Sequence, residues 1–156
     1  MGTFSGKISA KFTPPKTWVL NEALSFTTDK ITPAEGEMLE LVGANIENES
    51  NTKVTCEEGM KTDLASVPRI CWAFIAPWDV ARAAVIHDHL YATLREYYNS
   101  GLIDKKIWKK ARAISDKIFL LVCTQPNRPF QNGKSIRHII LFAYVEAGQH
   151  LKIVTN

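Results

Sequence analysis

The chain has 156 residues and a formal net charge of +3, with 46% hydrophobic and 22% charged residues. These values suit one globular domain and argue against intrinsic disorder, because enough apolar sequence is available to form a core. No stretch of about 18 apolar residues is present, which excludes a transmembrane helix of the usual kind. The first residues also lack the apolar segment of a secretory signal. We therefore expect a single soluble domain over residues 1–156.

Three cysteines, Cys56, Cys71 and Cys123, are widely spaced along the chain. Their number is odd and no Cys-x-x-Cys pair is present, which disfavours a disulfide framework. The pattern predicts three free thiols in a reducing compartment.

The first sixty residues favour short strands joined by turns. β-rich runs occur at 4–12, 17–20, 23–28, 38–42 and 53–56. The polar stretch 45–52 is rich in residues that form turns and predicts a loop or a hairpin tip. Several short strands at this spacing predict an antiparallel sheet of about four or five strands.

The second half of the chain has helical periodicity. It predicts helices at 79–100, 104–124 and 134–149, with Asp104 as an N-cap and Gly101 at the end of the first helix. The segment 125–133 contains two prolines and is expected to be a loop. We therefore expect an α+β fold, in which an N-terminal antiparallel sheet is covered by three C-terminal helices.

Basic residues are concentrated in the second predicted helix. They are Lys105, Lys106, Lys109, Lys110, Arg112 and Lys117. Such a face can meet phosphate groups, but only Trp108 is interleaved with the lysines. The sequence therefore favours a solvated helix face and disfavours nucleic acid as a partner.

The first predicted helix carries a polar band beside its buried stripe. At about 100° per residue, His87 lies at the edge of the stripe, and Tyr91 and Arg95 follow at intervals of one turn. Asp88 lies at the far edge of the polar band. An imidazole beside a carboxylate suits acid–base catalysis or a divalent metal. Alternatively, His87 bonds a backbone carbonyl and Asp88 pairs with Arg95 or another basic residue. His89 faces the other way, and we expect it in solvent.

Asp116 lies opposite the main buried stripe of the second predicted helix. Phe119 and other apolar residues flank it, so this part of the helix is expected to be buried nearly all round. A buried carboxylate needs a partner. Asp116 either pairs with Arg112 one turn earlier, in a structural role, or reaches across to His87 and Asp88.

A loop at 59–69 joins the predicted sheet to the helices and carries Asp63, Ser66 and Arg69. Short polar side chains in a loop often bond the loop's own amides, which is the structural interpretation. The functional alternative makes Asp63 a catalytic carboxylate or metal ligand and assigns substrate contacts to Ser66, Arg69 and Arg95.

Three motifs stand out together: Thr-Asp-x-Ala-Ser-Val-Pro-Arg at 62–69, His-Asp-x-Leu-Tyr at 87–91, and Arg-x-x-x-Asp at 112–116. In these motifs the chain resembles the family catalogued as domain of unknown function thirteen fifty-three, over roughly residues 50–148. That family is common in tailed bacteriophages and prophages and has no settled activity. The resemblance implies a phage gene product located in the host cytoplasm or the virion. The matching polar positions are Asp63, His87, Asp88, Tyr91 and Asp116.

Two functions remain open at this point. In the first, the chain is a metal-dependent hydrolase in which Asp63, His87, Asp88 and Asp116 hold zinc, manganese or calcium. The catalytic set is then His87, Asp88, Asp63 and Tyr91. In the second, the chain is a non-catalytic virion, tail or host-interaction protein. The same residues then form a structural hydrogen-bond network, and the partners are phage or host proteins.

Overall fold

The computed structural model describes residues 2–63 and 77–123. For 77–80 and 123 the description covers the backbone. Within these ranges the chain forms seven strands and three helices. The strands are β1 (Thr3–Phe4), β2 (Ala10–Thr13), β3 (Thr17–Leu20), β4 (Leu24–Thr28), β5 (Ile46–Asn48), β6 (Thr52–Cys56) and β7 (Lys61–Thr62). The helices are α1 (Pro33–Leu41), α2 (Pro77–Asn99) and α3 (Lys105–Cys123).

The strands form two antiparallel sheets. One has the order β1-β4-β6-β5 and the other has the order β2-β3-β7. In the larger sheet, β4 pairs with β6 so that Phe26 lies opposite Val54 and Leu24 lies opposite Cys56. All four of these side chains are buried. The α+β class and the antiparallel pairing of short N-terminal strands are confirmed.

Helix α1 begins with a capping box. The Thr32 side chain accepts a hydrogen bond from the Glu35 backbone, and the Glu35 side chain bonds the Thr32 backbone N–H in return, with Pro33 at the first helical position. The strand expected at 38–42 is therefore wrong. Five residues that are mostly apolar, with Glu40 among them, do not distinguish strand from helix by their periodicity, and the start signal lies six residues before them.

Glu35 also joins α1 to α3. Its two carboxylate oxygens each lie 2.8 Å from Nζ of Lys117. The same side chain therefore completes the cap of α1 and forms an ion pair with a helix that lies 82 positions later in the chain.

Helices α2 and α3 form an antiparallel hairpin, and both predicted spans are confirmed to within two residues at each end. Gly101 has a φ of 71° and ends α2 in a Schellman motif, in which the Leu102 N–H donates to the Tyr97 carbonyl at 3.0 Å. Asp104 caps α3 by accepting from the Ile107 N–H at 2.7 Å. The helix predicted at 134–149 lies outside the described residues.

The hairpin completes the core over the larger sheet. The expected stripe of α2 is buried at Ala83, Ile86, Leu90 and Leu94, and α3 contributes Ile118. Polar side chains at one level of the hairpin are therefore enclosed between two helices and a sheet. Among the helices in residues 2–63 and 77–123, none combines the length and the apolar character needed to cross a bilayer.

Candidate functional site

Four polar side chains meet at one level of the helix hairpin. His87 and Tyr91 lie four residues apart on α2, while Arg112 and Asp116 lie four residues apart on α3. Side chains with this spacing lie on the same face of a helix, one turn apart. Because the helices are antiparallel, His87 comes opposite Asp116 and Tyr91 comes close to both residues of α3.

The four side chains are joined by hydrogen bonds into what we call the Asp116 network. The Nε2 atom of His87 lies 3.1 Å from Oδ1 of Asp116. The Tyr91 hydroxyl donates to the same carboxylate oxygen at 2.6 Å. The Nε–H of Arg112 donates to the Tyr91 hydroxyl oxygen at 3.0 Å. The network thus runs from a guanidinium through a phenol to a carboxylate and an imidazole.

Two members of the network are buried, and Tyr91 and Arg112 are partly buried. His87 is 7% exposed and Asp116 is 6% exposed. The His87 ring is packed against aromatic side chains, with centroid distances of 4.1 Å to Tyr91 and 5.0 Å to Phe119. In such surroundings hydrogen bonds are strengthened, and an unmade bond is costly.

Tyr91 is held as a proton donor. Its pKa is raised above the ordinary value, first by burial and then by the hydrogen bond and the charge of Asp116. The phenol therefore keeps its proton at neutral pH and donates it toward the carboxylate. The contact between His87 and the same carboxylate is a hydrogen bond in the tautomer that carries its proton on Nε2.

Asp88 faces a different partner. Successive residues of a helix diverge by about 100°, and the carboxylate of Asp88 accepts a hydrogen bond from the Thr62 hydroxyl in β7. Thr62 is 4% exposed, and it is the first residue of the motif at 62–69. This bond ties the start of the motif loop to α2. Asp63 follows Thr62 and is exposed.

The four-ligand metal site stays a prediction. Within residues 2–63 and 77–123, no three His, Cys, Asp or Glu residues group in a way that could hold a metal ion. One oxygen of Asp116 receives two donors from inside the chain, and Asp88 is turned toward Thr62. His87 and Asp88 bond different partners because neighbouring residues of one helix point in different directions.

The other predicted site residues take varied positions. Arg112 lies near Asp116, as the structural interpretation required, but it bonds the Tyr91 hydroxyl. Arg95 is exposed on α2. The expected pairing of Asp88 with Arg95 is replaced by the bond to Thr62. Ser66 and Arg69 lie outside the described residues.

The expectation that His89 lies in solvent is wrong. The residue is partly buried, and its Nε2 accepts from the Asn45 backbone N–H at 3.4 Å. Burial lowers the pKa of His89. The loop after α1 covers this side of α2, and the sequence did not predict α1. The role of Thr62 was missed as well, because a threonine in a strand carries no signal for bonding a helix 26 positions later.

The thiol of Cys56, in β6, is buried against α2, and its titration tests that packing. Its thiol bonds the Val85 carbonyl at 3.7 Å, and burial raises its pKa above the ordinary value of 9.0. Above that pH the unfolded chain releases this proton while the folded chain keeps it, so we expect the free energy of unfolding to fall as the pH rises. Cys56→Ala should reduce this fall by the slope of one bound proton.

Urea unfolding at a series of pH values from neutral to alkaline measures this slope. Val54→Ala is the matched control, because Val54 is buried on the same strand and does not titrate. It is expected to lower stability while keeping the wild-type slope. Equal slopes in wild type and Cys56→Ala would contradict the assignment.

Comparison with known proteins places the motifs in one family. A family model described as "Protein of unknown function (DUF1353)" matches residues 41–136, which is more than half of the chain. The match includes the Asp116 network and the Thr62–Asp88 bond. No curated protein and no solved structure matches the chain. The chain belongs to the DUF1353 family.

Proposed function

We propose that this protein is a non-catalytic component of a bacteriophage or prophage, acting in the virion, in the tail or on a host protein. In this proposal the Asp116 network is structural and fixes the register of α2 against α3. The observation that carries it is the enclosure of the imidazole, since His87 is 7% exposed and its Nδ1 atom is buried. A general base must come within hydrogen-bond distance of the proton that it removes.

The hydrogen bonds within the network also support a structural role. The two donors on Asp116 and the donor on Tyr91 all come from α2 or α3. Hydrogen bonds between buried polar groups rigidify a structure and help to specify a single arrangement of the elements that carry them. The Thr62–Asp88 bond then links β7 to the same helix hairpin. Together the two sets of bonds hold both ends of the region that carries the family motifs.

The phage setting rests on the family. The three motifs at 62–69, 87–91 and 112–116 resemble those of a family that is common in tailed phages and prophages. Partners in that setting are other virion or tail proteins, or a protein of the host.

The experiment replaces the imidazole by a side chain that keeps a donor but cannot act as a base. His87→Gln retains an N–H group that can bond Asp116. The variant is introduced into the phage that carries the gene, and phage yield is measured beside the melting temperature of the purified protein. We expect a folded protein and an unchanged yield. A folded His87→Gln protein with lost yield would overturn the non-catalytic proposal, while His89→Gln on the same helix serves as control.

A hydrolase is the second candidate, and one observation favours it. A carboxylate bonded to one nitrogen of an imidazole fixes the tautomer and orients the ring, as in catalytic dyads and around metal-bound histidines. His87 and Asp116 stand in that relation. With Nε2 donating to Asp116, Nδ1 would accept a proton from water as the water oxygen bonds a phosphoryl or carbonyl centre. The imidazolium would return that proton to the leaving oxygen or nitrogen as the scissile bond breaks. Asp88, partly exposed beside it, would be the second carboxylate.

Hydrolysis is tested with a phosphodiester, an ester and a cell-wall peptide, each with and without a chelator. Turnover by wild type that is lost in His87→Gln and kept in His89→Gln would establish the hydrolase. Elemental analysis of the purified protein tests the metal-dependent form, which requires a bound divalent ion. Absence of turnover on all three substrates, together with absence of bound metal, would argue against this candidate.

A further inference from the structure

We propose that the first half of α3 binds a single-stranded nucleic acid through a face that we call the lysine strip. The strip consists of Lys105, Lys106, Lys109 and Lys110, and an exposed aromatic ring borders it at the hairpin end. This inference is independent of the Asp116 network and goes beyond the proposed function.

The four lysines share one exposed face of the helix. All four are exposed, and their spacing places Lys105 beside Lys109 and Lys106 beside Lys110, one turn apart. No ion pair joins any of them to an acid within residues 2–63 and 77–123. The strip therefore presents four positive charges without neutralising partners in that part of the chain.

The structure separates these lysines from the other basic residues of α3. Lys117 forms an ion pair with Glu35 at 2.8 Å, and Arg112 belongs to the Asp116 network. The six basic residues of α3 therefore fall into two sets. Arg112 and Lys117 bond other parts of the fold, and the other four are exposed. Only the exposed group needs a function.

The placement of the strip is unfavourable for the helix alone. The strip begins at the first residue of α3, where the helix dipole disfavours cations. Apart from the Asp104 carboxylate at the N-cap, the start of the helix carries no acidic residue in its first turn, and like charges one turn apart repel each other. A row of phosphates would relieve both effects, because each phosphate brings negative charge to the positive end of the dipole. Charge complementarity thus indicates a polyanion.

Aromatic rings lie beside the strip. Trp108 is three residues from Lys105, and the Arg112 guanidinium lies 5.2 Å from the centre of the Trp108 ring. The Tyr98 ring is 5.7 Å from the Trp108 ring, and Tyr98 is 40% exposed. Proteins that bind single strands combine such rings, which stack on bases, with cations that follow the backbone. A duplex keeps its base faces inside, whereas a single strand exposes them for stacking. The exposed Tyr98 ring therefore favours a single strand.

An anionic bilayer is the rival polyanion, and the packing of α3 argues against it. A helix that lies on a membrane inserts its apolar face. The apolar face of α3 is already buried in the protein through Ala111, Ile114 and Ile118. In the described part of the chain, Leu41 and Leu102 are the large aliphatic side chains that are exposed, at 55% and 67%.

Fluorescence anisotropy with a labelled oligothymidine of about 16 nucleotides tests the proposal on the full chain. We expect the logarithm of the affinity to fall with the logarithm of the salt concentration, with a slope of about −0.7 for each phosphate contacted, and so near −3 for the strip. Replacing all four lysines by alanine should weaken binding by about a hundredfold at 0.1 M salt and bring the slope close to zero.

The matched control replaces Lys7, Lys11, Lys16 and Lys30, four exposed lysines outside α3, by alanine. It removes the same charge and is expected to keep most of the affinity. Tyr98→Ala should weaken binding to the oligothymidine and leave binding to a duplex unchanged. Lys109→Glu provides a single-site variant if the quadruple variant does not fold.

Three results would overturn the proposal. The first is an absence of binding to the oligothymidine at low salt. The second is an equal loss of affinity in the two quadruple variants, which would indicate an effect of net charge alone. The third is strip-dependent binding to vesicles of anionic phospholipid without binding to the oligothymidine, which would assign the strip to a membrane surface.

Discussion

Replacement of Asp116 by alanine is expected to lower the free energy of unfolding by about 3–5 kcal/mol. The carboxylate accepts hydrogen bonds from His87 and from Tyr91 at a site where Asp116 itself is 6% exposed. Without it, the buried His87 donor and the partly buried Tyr91 donor lose their acceptor, and each unsatisfied donor costs about 1–3 kcal/mol. Urea unfolding at neutral pH measures the loss as a lower midpoint with an unchanged m-value.

Tyr91→Phe serves as the graded control for this prediction. It removes one donor and leaves the bond between Asp116 and His87 in place, so we expect a loss of about 1–2 kcal/mol. In the double variant Asp116→Ala/Tyr91→Phe, the loss of unfolding free energy should be smaller than the sum of the single losses. The reason is that the Tyr91 hydroxyl, which Asp116→Ala leaves without its acceptor, is no longer present. Strictly additive losses would contradict the network, and so would a cost below about 1 kcal/mol for Asp116→Ala.

Gly43→Ala is expected to lower the free energy of unfolding by about 3 kcal/mol. Gly43 ends α1 in the same kind of Schellman motif that ends α2, with a φ of 77°. A Cβ atom at this position would lie 2.3 Å from the nearest atom of the Tyr97 ring. The substitution therefore combines the strain of a positive φ with an overlap against the partly buried Tyr97 ring, which is packed against the core.

Gly101→Ala is the matched control, because the residue occupies the same motif position with a φ of 71°. A Cβ atom there would meet no heavy atom within 4 Å in the part of the chain that the structure describes. The expected loss is about 1 kcal/mol, which isolates the cost of the backbone conformation. In a Tyr97→Ala background, Gly43→Ala should lower the free energy of unfolding by only as much as Gly101→Ala does. Equal losses for the two single glycine variants would contradict the close approach of Tyr97.

The hairpin of α2 and α3 was predictable because its signals are local. Gly101 and Asp104 mark the ends of the two helices, and the apolar periodicity between such signals is long enough to identify a helix. His87 and Asp116 also lie equally far from the middle of the loop, as do Tyr91 and Arg112. An antiparallel hairpin with a short loop brings residues at equal distances together, so these contacts follow from the sequence once the hairpin is recognised.

The rest of the candidate site depends on contacts that have no local signal. Thr62 bonds Asp88 only because β7 pairs with β3 and lies beside α2. His89 is covered by the loop after α1, and α1 itself was concealed by an apolar run too short to distinguish helix from strand. Which acid faces which partner is decided by the docking of the sheets on the helices. This is why the sequence predicted the residues of the site but not the division of His87 and Asp88 between two sets of bonds.

The double role of Glu35 has a consequence for the order in which the fold comes apart. Helix α1 has nine residues, and an isolated helix of that length is marginal in water. The carboxylate that caps it is also the one that holds Lys117. Separation of α3 from α1 should therefore remove the ion pair that orients the capping carboxylate, together with the packing of α1 against α3, and let α1 unwind. Hydrogen exchange at the amides of α1 would then follow the opening of a helix that is distant in sequence.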